Sequence, residues 1–287
     1  MNKWLLIILV LLGLYLVGSV FAFIAFGNDG VLGEKIEVIS LDGEISTSSD
    51  NGLLQSGGVS STDLVKIIKD VSEDDSVVGV IFEINSPGGS VVASQEIADA
   101  IKFLNKTNYA VIRESGASGA YWIASATDKI IASPMSITGS IGVYGSYLEF
   151  SGLFEKYGVN YERLISGKYK DLGVPYRNLT TDEMNLLQSK LNKIHEFFIK
   201  EVAKNRNMDI NMIRNLSTGE FYLGEEAKDL GLVDVLGNRD TAIELMKQEL
   251  NLTEINVVEN KPKSSLIDAI LGNVAFQFGR GFGSVLT

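Results

Sequence analysis

What most limits the fold of this chain is a repeated alternation of short apolar runs with helical patterns. Val77–Ile84 (VVGVIFEI) is an apolar run bounded by turn signals, too short for a stable helix, and reads as a buried strand. It leads through Asn85–Ser90 (NSPGGS) into a helical pattern from about Val92 to Leu104. Tyr109–Glu114 (YAVIRE) repeats the strand, and a small-residue segment with an apolar helical run follows it. Lys129–Ser133 (KIIAS) is another short strand. Upstream, Lys35–Ile45 (KIEVISLDGEI) reads as a strand turning at Asp42 and Gly43. A helix from Thr62 carries Val65, Ile67, Ile68 and Val71 on one side. Strands that alternate with helices in this way predict an α/β fold with crossover connections.

Further along, Thr180 and Glu183 form a capping box ahead of a long amphipathic helix. Its apolar stripe is Leu187, Leu191, Ile194, Phe198 and Val202, close to the 3.6-residue period. The Ser- and Gly-rich stretch 46–63 reads as a mobile loop. Before the first strand, residues 4–26 form an uncharged, mostly apolar run. Its helix would be roughly 34 Å long, enough to cross a bilayer core. A cleaved signal peptide usually has a shorter apolar region and an A-x-A-like site, and Val20-Phe21-Ala22 fits that poorly. The expected organisation is a membrane anchor at 1–28, a main domain at 29–258 and an apolar tail at 259–287. Lys3 and the amino terminus precede the span, whereas Asp29 and Glu34 follow it with Lys35. The positive-inside rule then places the main domain outside the cytoplasm.

Composition removes most catalytic classes. With no cysteine there are no disulfides, thiol nucleophiles or zinc-thiolate sites. One histidine, His195, and no HExxH or EF-hand spacing argue against a metal centre. A net charge of −11 without a long basic run argues against nucleic acid as a partner. His195 sits in mid-helix at the edge of the apolar stripe, and no G-x-S-x-G elbow exists, so a Ser-His-Asp triad is disfavoured.

A serine activated by lysine remains. Arg113–Lys129 (RESGASGAYWIASATDK) places five small residues, Ser115 to Gly119, at the mouth of a helix. Small residues there let another backbone approach closely and leave a serine oxygen exposed. A lysine base must be neutral, so burial has to lower its pKa from about 10.4 to roughly 7–8, which costs about 4 kcal/mol. Leu164–Gly173 (LISGKYKDLG) offers Lys168 and Lys170, which on a strand would share one face with Asp171 on the other. Spacing alone does not choose between them.

Taken together, these segments resemble the short form of the signal peptide peptidase SppA family, Ser-Lys serine endopeptidases of the ClpP/crotonase fold. The resemblance runs from roughly residue 35 to 238. It rests on FEINSPGGS, ESGASGAYWIASATDKIIASP, ITGSIGV, SGKYKDLGVPYRNLTTDE and TGEFYLGEEAKDLGLVDVLGN. It implies an α/β fold of repeated ββα units behind an N-terminal transmembrane helix. Ser118 matches the nucleophile, Lys170 the general base and Ser140 the serine that orients that lysine. Gly88 or Gly89, together with Gly119, would supply the oxyanion-hole amides. Ala120 and Trp122 depart from what relatives often carry, which bears on the pocket and not on the mechanism.

The resemblance further implies a single-pass enzyme of the cell membrane that needs no cofactor. Its partners would be remnant signal peptides and other hydrophobic peptides. Copies of the chain would form a homo-oligomer whose neighbouring protomers share active sites. Two alternatives stand beside this reading: a stomatin-directed Ser-Lys membrane protease, and a catalytically silent crotonase-like scaffold.

Overall fold

The computed structural model describes residues 12, 13, 17, 34–48 and 58–260. Most of the expected anchor and the tail from residue 261 lie outside these. Among the described residues no helix is long and apolar enough to cross a membrane.

The first described strand is β1 (Lys35–Asp42), which turns at Gly43 into β2 (Glu44–Ser46). β3 (Gly58–Ser60) pairs in parallel with β2 as a small second sheet. Part of the expected loop at 46–63 is therefore ordered pairing. The reason is that Val59 buries its side chain while Ser60 caps the next helix. Then come α1 (Ser61–Glu73), β4 (Val77–Ser86), α2 (Val91–Lys102), β5 (Thr107–Ala117), α3 (Gly119–Ser125) and β6 (Lys129–Ala132). The strand that YAVIRE announces runs on to Ala117, because its last three residues pair with β7 (Ile137–Gly139).

Beyond β7 lie α4 (Ser151–Lys156), α5 (Thr181–Asn205), α6 (Ile210–Leu216), β8 (Phe221–Leu223), α7 (Gly224–Asp229), β9 (Val235–Leu236), α8 (Arg239–Leu250) and β10 (Asn256–Asn260). The main sheet has the order β10-β1-β4-β5-β6-β9, and every neighbouring pair along it is parallel. β7 joins the end of β5, and β8 pairs antiparallel with β7.

Alternation along the strands divides the core in two. Ile36, Val38, Ile81, Tyr109, Val111 and Ile131 face α8, where Ala242 and Met246 are fully buried. Ile39, Leu41, Val80, Phe82, Ile84, Ala110 and Ile112 face α1, α2 and α3 on the other side. Helices on both faces explain why these strands read as continuous apolar runs. In α1 the buried line is Ser61, Leu64, Ile68 and Val71, so Leu64 takes a place that the sequence reading gave to Val65.

α5 begins with the expected capping box of Thr180 and Glu183. Its stripe is buried only in the C-terminal half, at Phe198, Ile199, Val202 and Ala203, while Leu187, Leu191 and Ile194 are half-buried. Residues 144–170, which precede it, form an arm that is exposed almost throughout. The arm is aromatic nonetheless: Phe154 stacks on Tyr176, and Tyr161 leans against the same ring.

Candidate active site

Ser118 lies between the end of β5 and the start of α3. Its amide donates to the Gly139 carbonyl (2.8 Å), and its own carbonyl accepts from the Trp122 amide (3.0 Å). These bonds hold the residue at φ 55 and ψ −123, outside the regions a non-glycine residue normally occupies. All seven residues of α3 are buried, so packing over-determines the turn. A helix-capping role for Ser118 is contradicted by its side chain, which makes no capping hydrogen bond.

The turn after β4 reaches the same place. A Cβ on Gly88 would sit 2.8 Å from the Gly119 nitrogen and 2.9 Å from the Ser118 Cβ. One on Gly89 would lie 2.1 Å from the Ile45 carbonyl oxygen. Only glycine allows this approach. The two amides differ. The Gly88 N–H donates to Ser86 Oγ (3.1 Å), which occupies it. Around Gly89, the Ile45 amide donates to the Gly88 carbonyl (2.9 Å) and the Ser90 amide to the Ile45 carbonyl (2.8 Å). In such a parallel bridge the middle residue turns its own amide away from its partner. The Gly89 nitrogen lies 3.4 Å from where a Gly119 Cβ would stand, so the amides of Gly89 and Gly119 are neighbours.

A cavity of about 110 Å³ opens beside Ser118, Gly89 and Gly119. Its walls are mainly apolar, built by Val91, Trp122, Val143, Tyr144, Ile194 and Phe198, with Ser94 among them. Sequence reading missed this cavity. Ile194 and Phe198 were visible only as a helix stripe, and nothing local indicates that α5 crosses the mouth of α3.

Ser140 follows β7 as Ser118 follows β5, and the paired residues Ala117 and Gly139 bring these two strand ends side by side. Ser140 also has a positive φ, 50°. Its amide donates to the Glu220 carbonyl (2.9 Å), and its Oγ donates to the Gly219 carbonyl (3.2 Å).

Lys170 is exposed on the arm and does not line the Ser118 cavity. The expected strand around it is replaced by a run of turns. The Lys170 amide donates to the Gly167 carbonyl (3.1 Å) and the Leu172 amide to the Tyr169 carbonyl (3.2 Å). Strand alternation therefore does not govern the side chains here. Lys168 is exposed too and pairs with Asp182 (3.3 Å).

Asp171, in contrast, is buried, because two arginines enclose it. Arg163 binds its carboxylate through Nε (2.5 Å) and Nη2 (2.7 Å), and Arg177 does so through Nε (3.0 Å) and Nη2 (3.1 Å). Arg177 also binds both carboxylate oxygens of Glu183 (2.7 and 2.8 Å). Hydrogen bonds from Arg163 and then Arg177 hold the Asp171 carboxyl well below the usual carboxylate range. Those from Arg177 lower Glu183 to about 2. His195 does not line the cavity either, and its buried Nε2 has no hydrogen-bond partner among the described residues. Among the described residues no three His, Asp or Glu side chains converge to hold a metal ion.

The peptidase family S49 model matches residues 102–253, and the Clp protease model matches residues 59–137. A putative protease of Methanocaldococcus jannaschii is 34% identical over 259 residues, covering 88% of this chain and 83% of its own. A putative signal peptide peptidase SppA of Enterococcus faecium is 35% identical over 237 residues, covering 82% and 69%. Among solved structures, a mutant of a membrane-bound stomatin-specific protease superposes with a TM-score of 0.54. That match covers 81% of this chain and 100% of the other at 16% identity, a likeness of fold alone.

Proposed function

The chain belongs to peptidase family S49 and is a serine protease with a Clp protease-like α/β fold, and from that premise we propose that it cleaves peptides with a Ser118-Lys170 dyad. What carries the proposal is the position of Ser118. It is held at a positive φ with an uncapped side chain, beside two neighbouring glycine amides and at the mouth of an apolar cavity.

In this reading neutral Lys170 takes the proton from the Ser118 hydroxyl as its oxygen attacks the scissile carbonyl. The Gly89 and Gly119 amides receive the oxyanion. Gly89 is preferred over Gly88, whose N–H is already given to Ser86. The tetrahedral intermediate collapses, the amine leaves with a proton from Lys170, and an acyl-enzyme remains. Lys170 then deprotonates the water that releases the acid. Ser140 has the role of orienting the lysine ammonium.

Because Lys170 does not line the Ser118 cavity of its own chain, the lysine of each site comes from a neighbouring copy in a homo-oligomer. The apolar cavity suits hydrophobic peptides, remnant signal peptides among them, and residues 4–26 anchor the enzyme in the cell membrane with its main domain outside the cytoplasm. The test is peptide hydrolysis by the full-length protein in detergent, beside Ser118→Ala and Lys170→Ala. Both variants should lose activity while remaining folded, and a fluorophosphonate should label Ser118. Labelling at Ser115 or Ser125, or full activity in Lys170→Ala, would overturn the dyad.

A further inference from the structure

The carboxylate beside the base raises an electrostatic difficulty that the geometry resolves. A lysine can act as a base only when neutral, and an adjacent anion favours its charged form. Asp171 is the next residue after Lys170, so its carboxylate ought to disable it. Asp171 is instead turned inward, 8% exposed, in the grip of Arg163 and Arg177. The second arginine continues to Glu183, which is 3% exposed and belongs to the capping box at the start of α5.

These ties are also what anchors the turn. Every residue from 161 to 170 is exposed, and Asp171 is the first buried one after them. The charged groups around this turn come from each element that meets it. Lys168 and Asp171 lie on the turn, Arg163 before it and Arg177 after it, while Asp182 and Glu183 come from α5. They are three cations and three anions, all engaged in ion pairs, and their charges cancel.

We propose that Arg163, Asp171, Arg177 and Glu183 are positioning residues for Lys170: they fasten its turn to the start of α5 and compensate the charge of the neighbouring carboxylate, so that the cluster carries no net charge. The inference rests on the reading of Lys170 as the base. It predicts opposite effects from changes that a purely structural ion network would treat alike. Asp171→Asn leaves an uncompensated positive charge beside Lys170 and favours the neutral amine. Arg177→Gln leaves an uncompensated negative charge and favours the ammonium ion. Arg177→Lys keeps the charge but loses the two-pronged grip on two carboxylates.

The test measures kcat and KM against pH for full-length protein in detergent, with Lys170→Ala alongside. Each of the three variants should lose roughly 10- to 100-fold in kcat with KM changed less than about twofold, the cost of a displaced catalytic group. The acid limb of the kcat profile should move to lower pH in Asp171→Asn, to higher pH in Arg177→Gln, and stay in place in Arg177→Lys. Arg163→Gln, whose ion pair among the described residues is with Asp171 alone, is a milder variant that should move the limb in the same direction as Arg177→Gln. It keeps the test decisive if Arg177→Gln fails to fold. Acid limbs that do not move, or that move together, overturn the positioning proposal. An active Lys170→Ala overturns the dyad itself, so the two failures are distinguishable.

Discussion

The two halves of the proposed dyad are built by opposite means. The serine half sits where β4, β5 and β7 end against α3, and its neighbours Ala120, Tyr121 and Ile123 are fully buried. Each fully buried large apolar side chain contributes about 1.5–3 kcal/mol relative to exposure. The nucleophile thus inherits its position from the same packing that stabilises the fold. The lysine half lies on an arm where Leu164 is 96% and Tyr144 89% exposed. Its side chains fold back on almost nothing, and its one buried anchor is ionic. On the proposed shared site, a chain made this way folds completely and is still inactive alone: folding finishes the serine half, and a neighbouring copy has to finish the lysine half.

The experiment that tests this contrast hardest mixes two dead proteins. Ser118→Ala lacks the nucleophile and Lys170→Ala the base, so each oligomer alone should be inactive by several orders of magnitude. If every site takes its serine from one protomer and its lysine from the next, random reassembly of equal amounts restores about a quarter of the sites. Activity should rise to about that fraction of wild type once subunit exchange is confirmed, for instance by mass spectrometry of tagged copies. If serine and lysine belonged to one chain, every site in the mixture would still lack one of them. No recovery despite exchange would sink the shared site without touching the assignment of the family.

A second substitution probes the serine half alone. In Gly119→Ala the new methyl would stand 2.2 Å from Ser94 Oγ and 3.2 Å from Ser94 Cβ. Either Ser94 or the Ser118 turn has to move, and a displaced oxyanion donor costs roughly 100-fold or more in kcat. If assembly depends on the arm, as the proposed shared site requires, it should be unchanged by analytical ultracentrifugation. Because the closest obstacle is a side-chain oxygen, adding Ser94→Ala should recover part of the loss. A double variant no better than the single would show that the backbone of the Gly88–Gly89 turn, and not Ser94, sets the limit.

The same contrast marks where the sequence was readable. The serine half consists of local patterns. The apolar run of β4, the two glycines after it, and the small residues before α3 each announce themselves within ten residues, and the fold satisfies them with nearby pairing. The end of β5 was harder, because its pairing is non-local: Ser115–Ala117 runs beside Ile137–Gly139 of β7, and Gly116 also pairs with Ser86 of β4. In the lysine half the local rules mislead. Lys168 to Asp171 look like alternating strand residues, yet turns take over, and Asp171 is buried by arginines eight residues before and six after it. No one helix or strand runs through positions 163, 171, 177 and 183, so no period along an element joins them. Only Glu183 carried a signal, as the far end of a capping box. The rest is tertiary.

The smallest effect should come from the lysine beside the base. Lys168 lies two residues before Lys170 on the same turn, and its side chain is 68% exposed. It pairs at 3.3 Å with Asp182, whose side chain is 71% exposed, and lies over the Tyr169 ring at 4.9 Å. Hydrogen bonds to Tyr169 and then Asp182 raise its pKa, which favours the ammonium form. Exposed ion pairs of this kind contribute little, because water and salt screen both charges. Lys168→Ala removes one cation from the balanced set but leaves Asp171 fully enclosed by Arg163 and Arg177. The variant should retain kcat/KM within about threefold of wild type, with any loss growing as salt is lowered and Asp182 becomes less screened. A loss as large as that of Lys170→Ala would mean that the resemblance assigns the wrong lysine. The anchored acid at Asp171 would then serve a base three residues away, not its immediate neighbour.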